Sequence, residues 1–196
     1  MINKLIYSHV FRDSRPAIIL DRDGVINYDY GYVHNWHHFD FMPGVKEGLK
    51  RLSHNGHPLF IATNQSGIAR EMFSHGDFVN LTDALVSHLL ADRIIINGVY
   101  YCPHHPDGSS SLFSIQCNCR KPNYGMLKEI SVDFGISLSD AIVIGDQPRD
   151  MLAAQRALCP IRILANSDCR IISHSSYHTH YISSFSEAIP IIENSS

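Results

Sequence analysis

Charge is scarce in this chain. Only 18% of its 196 residues are Asp, Glu, Lys or Arg, against roughly 25% in an average soluble protein. Sixteen basic residues face nineteen acidic ones, a formal net charge of -3. No basic field exists to hold a polyanion by counterion release, so nucleic acid is not an expected partner. Long apolar runs are missing as well. Nothing approaches the roughly 18 residues of a membrane-spanning helix, and residues 1–16 lack the unbroken apolar stretch of a secretory signal. The expectation is a cytoplasmic protein with no membrane partner. Cysteine is sparse and odd in number, five in all, which is not the pattern of a secreted disulfide scaffold. Hydrophobic residues make up 44%, too many for a disordered chain. The length suits one domain, residues 1–196, acting as a monomer.

The dominant rhythm is a short apolar run, a polar or Gly-containing turn, and then a helical pattern. Ala17–Leu20, Phe60–Ala62, Val99–Tyr101, Ala141–Ile144 and Ile161–Leu164 read as buried strands, with Tyr181-Ile182 a weaker sixth. Such continuous runs are covered on both faces and indicate a parallel sheet. Between them, Val45, Leu49 and Leu52 fall on one helical face, as do Phe78, Leu81, Leu85 and Leu89, and Met126, Ile130 and Phe134. The expected class is α/β, a Rossmann-like doubly wound parallel sheet, in which ligands bind beyond the C-terminal ends of the strands.

Chemistry gathers at those ends. The first run is followed by Asp21-Arg22-Asp23-Gly24 and the fourth by Gly145-Asp146. Carboxylates brought together this way repel unless a cation joins them, and an all-oxygen set suits Mg²⁺. Asp150 could join the set or simply cap the next helix. The second run leads into Thr63-Asn64-Gln65-Ser66-Gly67, a neutral cradle of donors for an anion. Lys121 could neutralise a phosphoryl group or be an ordinary surface charge.

Asp21-x-Asp23-Gly24, Thr63, Lys121 and Gly145-Asp146 resemble, in order and spacing, the four motifs of the haloacid dehalogenase (HAD) superfamily of phosphatases. Within it the likeness is to the D-glycero-D-manno-heptose 1,7-bisphosphate phosphatases. It is carried by Asp29–His34, Thr63–Arg70, Tyr100–Pro106 and Cys117-x-Cys119-Arg120-Lys121-Pro122, and it runs from about Ala17 to the early 160s. The resemblance implies a HAD-like fold and Mg²⁺-dependent removal of the C7 phosphate from a small sugar bisphosphate, in supply of nucleotide-activated heptose for a surface polysaccharide. It implies Asp21 as nucleophile forming an aspartyl-phosphate, Asp23 as general acid and base, and Thr63 and Lys121 as holders of the phosphoryl oxygens. Mg²⁺ would rest on Asp21, the main-chain carbonyl of Asp23 and Asp146. Asp29, Tyr30, Gly31, Tyr32, Asn64, Gln65, Ser66 and Arg120 would contact substrate. A histidinol-phosphate phosphatase is the alternative enzyme, and a non-catalytic zinc-stabilised binding module the alternative of another class.

Cys102-x-His104 and Cys117-x-Cys119 offer three thiols and an imidazole, a set suited to structural, tetrahedral Zn²⁺. It would stabilise an inserted loop over residues 102–119 and place Arg120 and Lys121. His105 competes as the imidazole ligand. Cys159 reads as a core thiol, Cys169 as a surface thiol, and His174, His178 and His180 as part of a polar tail. One departure stands out. The resemblance leads to Lys directly after Asp146, whereas this chain has Gln147, followed by Pro148 and Arg149. Arg149 is the candidate to restore the missing cation.

Overall fold

The computed structural model describes residues 3–11, 15–165 and 177–195. Cys169 and His174 lie outside the described residues. Seven strands form one sheet: Asn3–Ile6 (β1), Ile18–Leu20 (β2), Leu59–Asn64 (β3), Gly98–Cys102 (β4), Ile142–Gly145 (β5), Ile161–Ala165 (β6) and His180–Ile182 (β7). Their order is β1-β4-β3-β2-β5-β6-β7. From β2 onward every pairing is parallel. The sheet is nevertheless mixed, because β1 runs antiparallel to β4 at one edge. Only four residues long and alternately half-buried and exposed, β1 carries no continuous apolar run of the kind that marks the others.

Six helices are described: Val45–His54 (α1), Ser66–Ala69 (α2), His75–Ala91 (α3), Gly125–Phe134 (α4), Pro148–Arg156 (α5) and Ala188–Glu193 (α6). Alternation along the strands divides the core in two. Ile18, Leu20, Leu59 and Ile61 pack against Val45, Leu49, Leu52, Phe78, Leu85 and Ile192 of α1, α3 and α6. Ile19, Phe60 and Ala62 face Met126, Ile130 and Met151 of α4 and α5. Phe134 is only partly buried, and meets Phe60 edge-on at 4.7 Å between ring centroids. No helix among the described residues is long and apolar enough to cross a membrane.

The chain leaves β2 towards β3 on one side and returns to place β5 on the other. Loops after β2 and β5 therefore diverge, and a crevice opens between them at the C-terminal edge of the sheet. Phe78 is fully buried beneath this edge, 4.3 Å from the Tyr101 ring and below the guanidinium of Arg22. Phe78→Ala should cost about 3–5 kcal/mol, the transfer energy of the ring plus the cavity it leaves. Urea unfolding of wild type and variant measures it, and a loss below about 1 kcal/mol would show that the site collapses without penalty.

Candidate active site

The strand ends converge on a buried cation. Lys121 Nζ lies 2.8 Å from Asp21 Oδ2 and 2.6 Å from Asp150 Oδ1, and donates to the Ala62 carbonyl at 2.8 Å. Its backbone is anchored too. Lys121 N–H donates to Asn64 Oδ1, and Asn64 Nδ2 donates to the Lys121 carbonyl, both at 3.1 Å. Burial works to lower the Lys121 pKa, but Asp150 and Asp21 outweigh it and the ammonium is held charged.

Asp21, Asp146 and Asp150 are all buried and present carboxylate oxygens within 4.8 Å of one another. Two glycines permit this crowding. A Cβ on Gly24, whose φ is +81°, would meet Asp146 Oδ2 at 2.5 Å, and one on Gly145 would meet Asp150 Cβ at 2.3 Å. Burial first, then the neighbouring carboxylates, push Asp21 up to about 6, although Lys121 pulls the other way. Burial together with Asp21 and Asp150 pushes Asp146 up to about 7. Three buried acids against one lysine leave excess negative charge, and a divalent cation fits that donor set. Asp150 caps α5, accepting from Gln147 N–H at 3.0 Å, and also lies in the carboxylate group, where it pairs with Lys121.

Asp23 is separated from this cluster by its bonds. Its carboxylate accepts from Arg22 Nη2 at 2.8 Å, from Asn27 Nδ2 at 3.0 Å and from Gln65 Nε2 at 2.9 Å. Gln65 Nε2 also donates to Thr63 Oγ1 at 2.9 Å. Above them opens a cleft of about 190 Å³ lined by Asp21, Asp23, Asp29, Thr63, Gln65 and Arg149, with Gly31, Tyr32, Asn64, Ser66 and Gly67 completing its wall. Tyr30 does not line it; its hydroxyl bonds Asp40 at 3.1 Å on the far side of the loop. Arg120 is half-buried beside the cleft, with Nη1 3.4 Å from the His104 carbonyl. Gln147 turns its amide onto Asp146 Oδ2 at 2.7 Å, leaving Arg149 as the cation in the cleft lining. A larger cavity, about 610 Å³, opens near Ala17 and Ile161 at the opposite edge of the sheet and contains no carboxylate cluster.

Cys102, His104, Cys117 and Cys119 form a second cluster. Cys102 and Cys117 sulfurs are 3.5 Å apart, Cys117 and Cys119 3.3 Å, and His104 Nδ1 lies 3.3 Å from Cys119 Sγ. No disulfide links them. Hydrogen bonding from Cys102, against the opposing effect of burial, pulls Cys119 down to about 5, in the range of a metal-ready thiolate. The donor set and its closeness fit a four-coordinate soft cation. His105 stays outside, bonded to Arg70 at 3.2 Å.

The raised acids make a sign-definite prediction for magnesium-free protein. A carboxyl whose folded pKa lies above its unfolded value contributes stability that is full below about pH 4 and is lost as pH rises through the folded value, about 7 for Asp146. Asp146→Asn removes that titration. The variant should therefore be more stable than wild type at pH 8, by on the order of a few kcal/mol, with the gap closing towards pH 4. Thermal melts across this range measure it, and a gap that widens on acidification would reverse the assignment.

Comparison with known proteins gives a consistent answer. Residues 19–157 match the family described as polynucleotide kinase 3 phosphatase. A D-glycero-β-D-manno-heptose-1,7-bisphosphate 7-phosphatase of Yersinia pestis is 44% identical over 155 residues, 79% of this chain and 82% of that protein. The corresponding 7-phosphatase of Escherichia coli K12 is 43% identical over 79% of this chain and 81% of its own. Among solved structures, a D,D-heptose 1,7-bisphosphate phosphatase from B. bronchiseptica, complexed with magnesium and phosphate, superposes with a TM-score of 0.81 at 27% identity, covering 92% of this chain and 99% of that one. With the carboxylate cluster, the buried lysine and the Cys/His cluster set on a HAD-like sheet, this chain belongs to the D-glycero-β-D-manno-heptose-1,7-bisphosphate 7-phosphatase family.

Proposed function

We propose that this protein hydrolyses the C7 phosphate of D-glycero-β-D-manno-heptose 1,7-bisphosphate, the β anomer being the one its named relatives carry. One observation carries the reading: Lys121 bridges Asp21 and Asp150 on the floor of a cleft that also presents Asp23 and Thr63. Asp21 is the nucleophile and attacks phosphorus to form an aspartyl-phosphate. The Lys121 ammonium screens the charge that the carboxylate meets there, and Thr63 Oγ1 and Lys121 bind the transferred phosphoryl oxygens. Asp23 gives a proton to the departing sugar oxygen, then takes one from the water that cleaves the intermediate.

Mg²⁺ would be held by Asp21, Asp146 and the main-chain carbonyl of Asp23, where it supplies further neutralisation between carboxylate and phosphoryl oxygens. Asp29, Gly31, Tyr32, Asn64, Gln65 and Ser66 shape the sugar site. Tyr30 supports it by holding the loop through Asp40, and Arg120 approaches from the Cys/His loop. Arg149 supplies the cation that Gln147 does not. Cys102, His104, Cys117 and Cys119 would hold Zn²⁺ as a structural ion, the four protein ligands leaving no position for substrate.

A single domain over 1–196, acting as a cytoplasmic monomer on a small sugar phosphate for surface polysaccharide synthesis, completes the reading. The net charge of -3 supports a small substrate over a polynucleotide. The names of the relatives favour neither histidinol phosphate nor a non-catalytic module.

Asp21→Asn should lower Mg²⁺-dependent phosphate release from the bisphosphate by at least about 10³-fold while the folded state persists. Wild-type turnover in that variant would remove Asp21 as nucleophile. Protein purified without added zinc should contain about one Zn per chain, lost in Cys117→Ser. Metal analysis finding none, with the thiols freely titratable, would remove the zinc assignment.

A further inference from the structure

Arg22 is the largest of the fully buried side chains, 1% exposed. A guanidinium so placed needs a charge partner. Its Nε and Nη2 make the contacts, while Nη1 is buried with no hydrogen-bond partner among the described residues. Nη2 donates to both oxygens of Asp23 at 2.8 Å, and Nε reaches Oδ1 at 3.2 Å. The same Nη2 donates to the Val33 carbonyl at 2.7 Å, and the guanidinium carbon stands 5.7 Å from the Phe78 ring centroid. Arg22 thus joins three things: Asp23, the end of the loop whose Asp29, Gly31 and Tyr32 reach the cleft, and the core face of α3.

Arg22 is not among the residues lining the cleft, and reaches it through Asp23 and, at 3.5 Å, through Gln65 Oε1. Whatever it contributes to turnover passes through these neighbours, of which Asp23 is the closer. Proton transfer requires the carboxyl to be aimed within hydrogen-bond reach of the reacting oxygen. A lone Asp side chain turns freely about χ1 and χ2, whereas a planar fork fixes both the direction and the plane of the carboxylate. The donors are also unequally shared. Asp23 Oδ1 receives Arg22 Nε, Arg22 Nη2 and Asn27, while Oδ2 receives Arg22 Nη2 and Gln65. Oδ2, on the Gln65 and Thr63 side, receives fewer donors than Oδ1 and is the oxygen more open to a proton.

We propose that Arg22 is a positioning residue, holding Asp23 so that Oδ2 performs both proton transfers; this rests on Asp23 being the proton-transfer group. In the first transfer the proton leaves Oδ2 for the bridging sugar oxygen as that oxygen's bond to phosphorus breaks and the Asp21–phosphorus bond forms. In the second, Oδ2 takes a proton from water as the water oxygen bonds phosphorus and the Asp21–phosphorus bond breaks. Arg22 itself neither gains nor loses a proton.

The test varies the leaving group. A sugar alkoxide needs protonation to depart, whereas the p-nitrophenolate of p-nitrophenyl phosphate does not. The parameter kcat/KM covers the steps through leaving-group departure. Arg22→Lys keeps the charge and loses the fork, and Arg22→Gln loses both. Each should lower kcat/KM on heptose bisphosphate by about 10²-fold and on p-nitrophenyl phosphate by less than about 3-fold, with Asp23→Asn showing the same pattern more strongly. Equal losses on the two substrates, or no loss on either, would overturn the proposal. So would failure of both Arg22 variants to fold, which would make the role one of stability. If Asp23→Asn does not distinguish the substrates, the reading of Asp23 is what fails, and the role of Arg22 falls with it. If Asp23→Asn distinguishes them and the Arg22 variants do not, only the Arg22 proposal fails.

Discussion

One buried ammonium organises this molecule. Lys121 cannot remain charged inside the protein without anions, and Asp21 and Asp150 supply them from opposite branches of the chain, one after β2 and one on α5. The Ala62 carbonyl within β3 takes the third contact. Three segments far apart in sequence are thereby drawn to one point, and breaking the arrangement by removing one partner would strand an uncompensated charge. The backbone of Lys121 is held just as firmly, by paired bonds to Asn64 and by Cys119 two residues earlier in the Cys/His cluster. That cluster therefore bears on the site through chain connectivity. Whatever disorders the loop 102–119 moves Lys121, and with it the partner of Asp21.

Asp21 and Asp23 show how surroundings separate two like groups. They stand two residues apart and both reach the cleft. Asp21 is buried among other acids, and its affinity for protons rises despite Lys121. Asp23 is surrounded by donors on both oxygens and stands clear of the carboxylate cluster. A crowd of anions suits a group that shares a cation and meets a phosphoryl oxygen. A frame of fixed donors suits a group that must keep its aim while a proton comes and goes.

Much of this was legible in the order of residues. Continuous apolar runs announce strands buried on both faces, so β2 to β6 could be read directly, and the chemistry lay immediately after them. β1 could not be read, because an edge strand of four residues with one covered face leaves almost no pattern. The two clusters that could hold metal ions were legible because carboxylates and thiols crowded at strand ends have few other uses. The part of Arg22 was not. It lies between two recognisable acids, and only the fold shows that its fork closes on its neighbour. Tyr30 and Arg120 show the converse limit, since adjacency along a loop does not decide which side chain turns inward.

Gln147 draws these strands together. The family resemblance leads to a second lysine at this position, beside Asp146. A neutral amide donates one hydrogen bond to Asp146 Oδ2 but brings no charge, so the carboxylate remains pushed up to about 7. Among the described residues Lys121 is the cation paired with Asp21 and Asp150, and Asp146 lies beside them. Less of the cluster's negative charge is then answered by a neighbouring side chain, and the donor set fits a divalent cation the more closely for it. Arg149 does not restore that balance at the floor, because it is exposed and lines the cleft above. It adds positive charge to the wall of the cleft instead of where the carboxylates meet, a redistribution that leaves the contacts of Asp21 untouched and alters what the upper cleft presents to an anion.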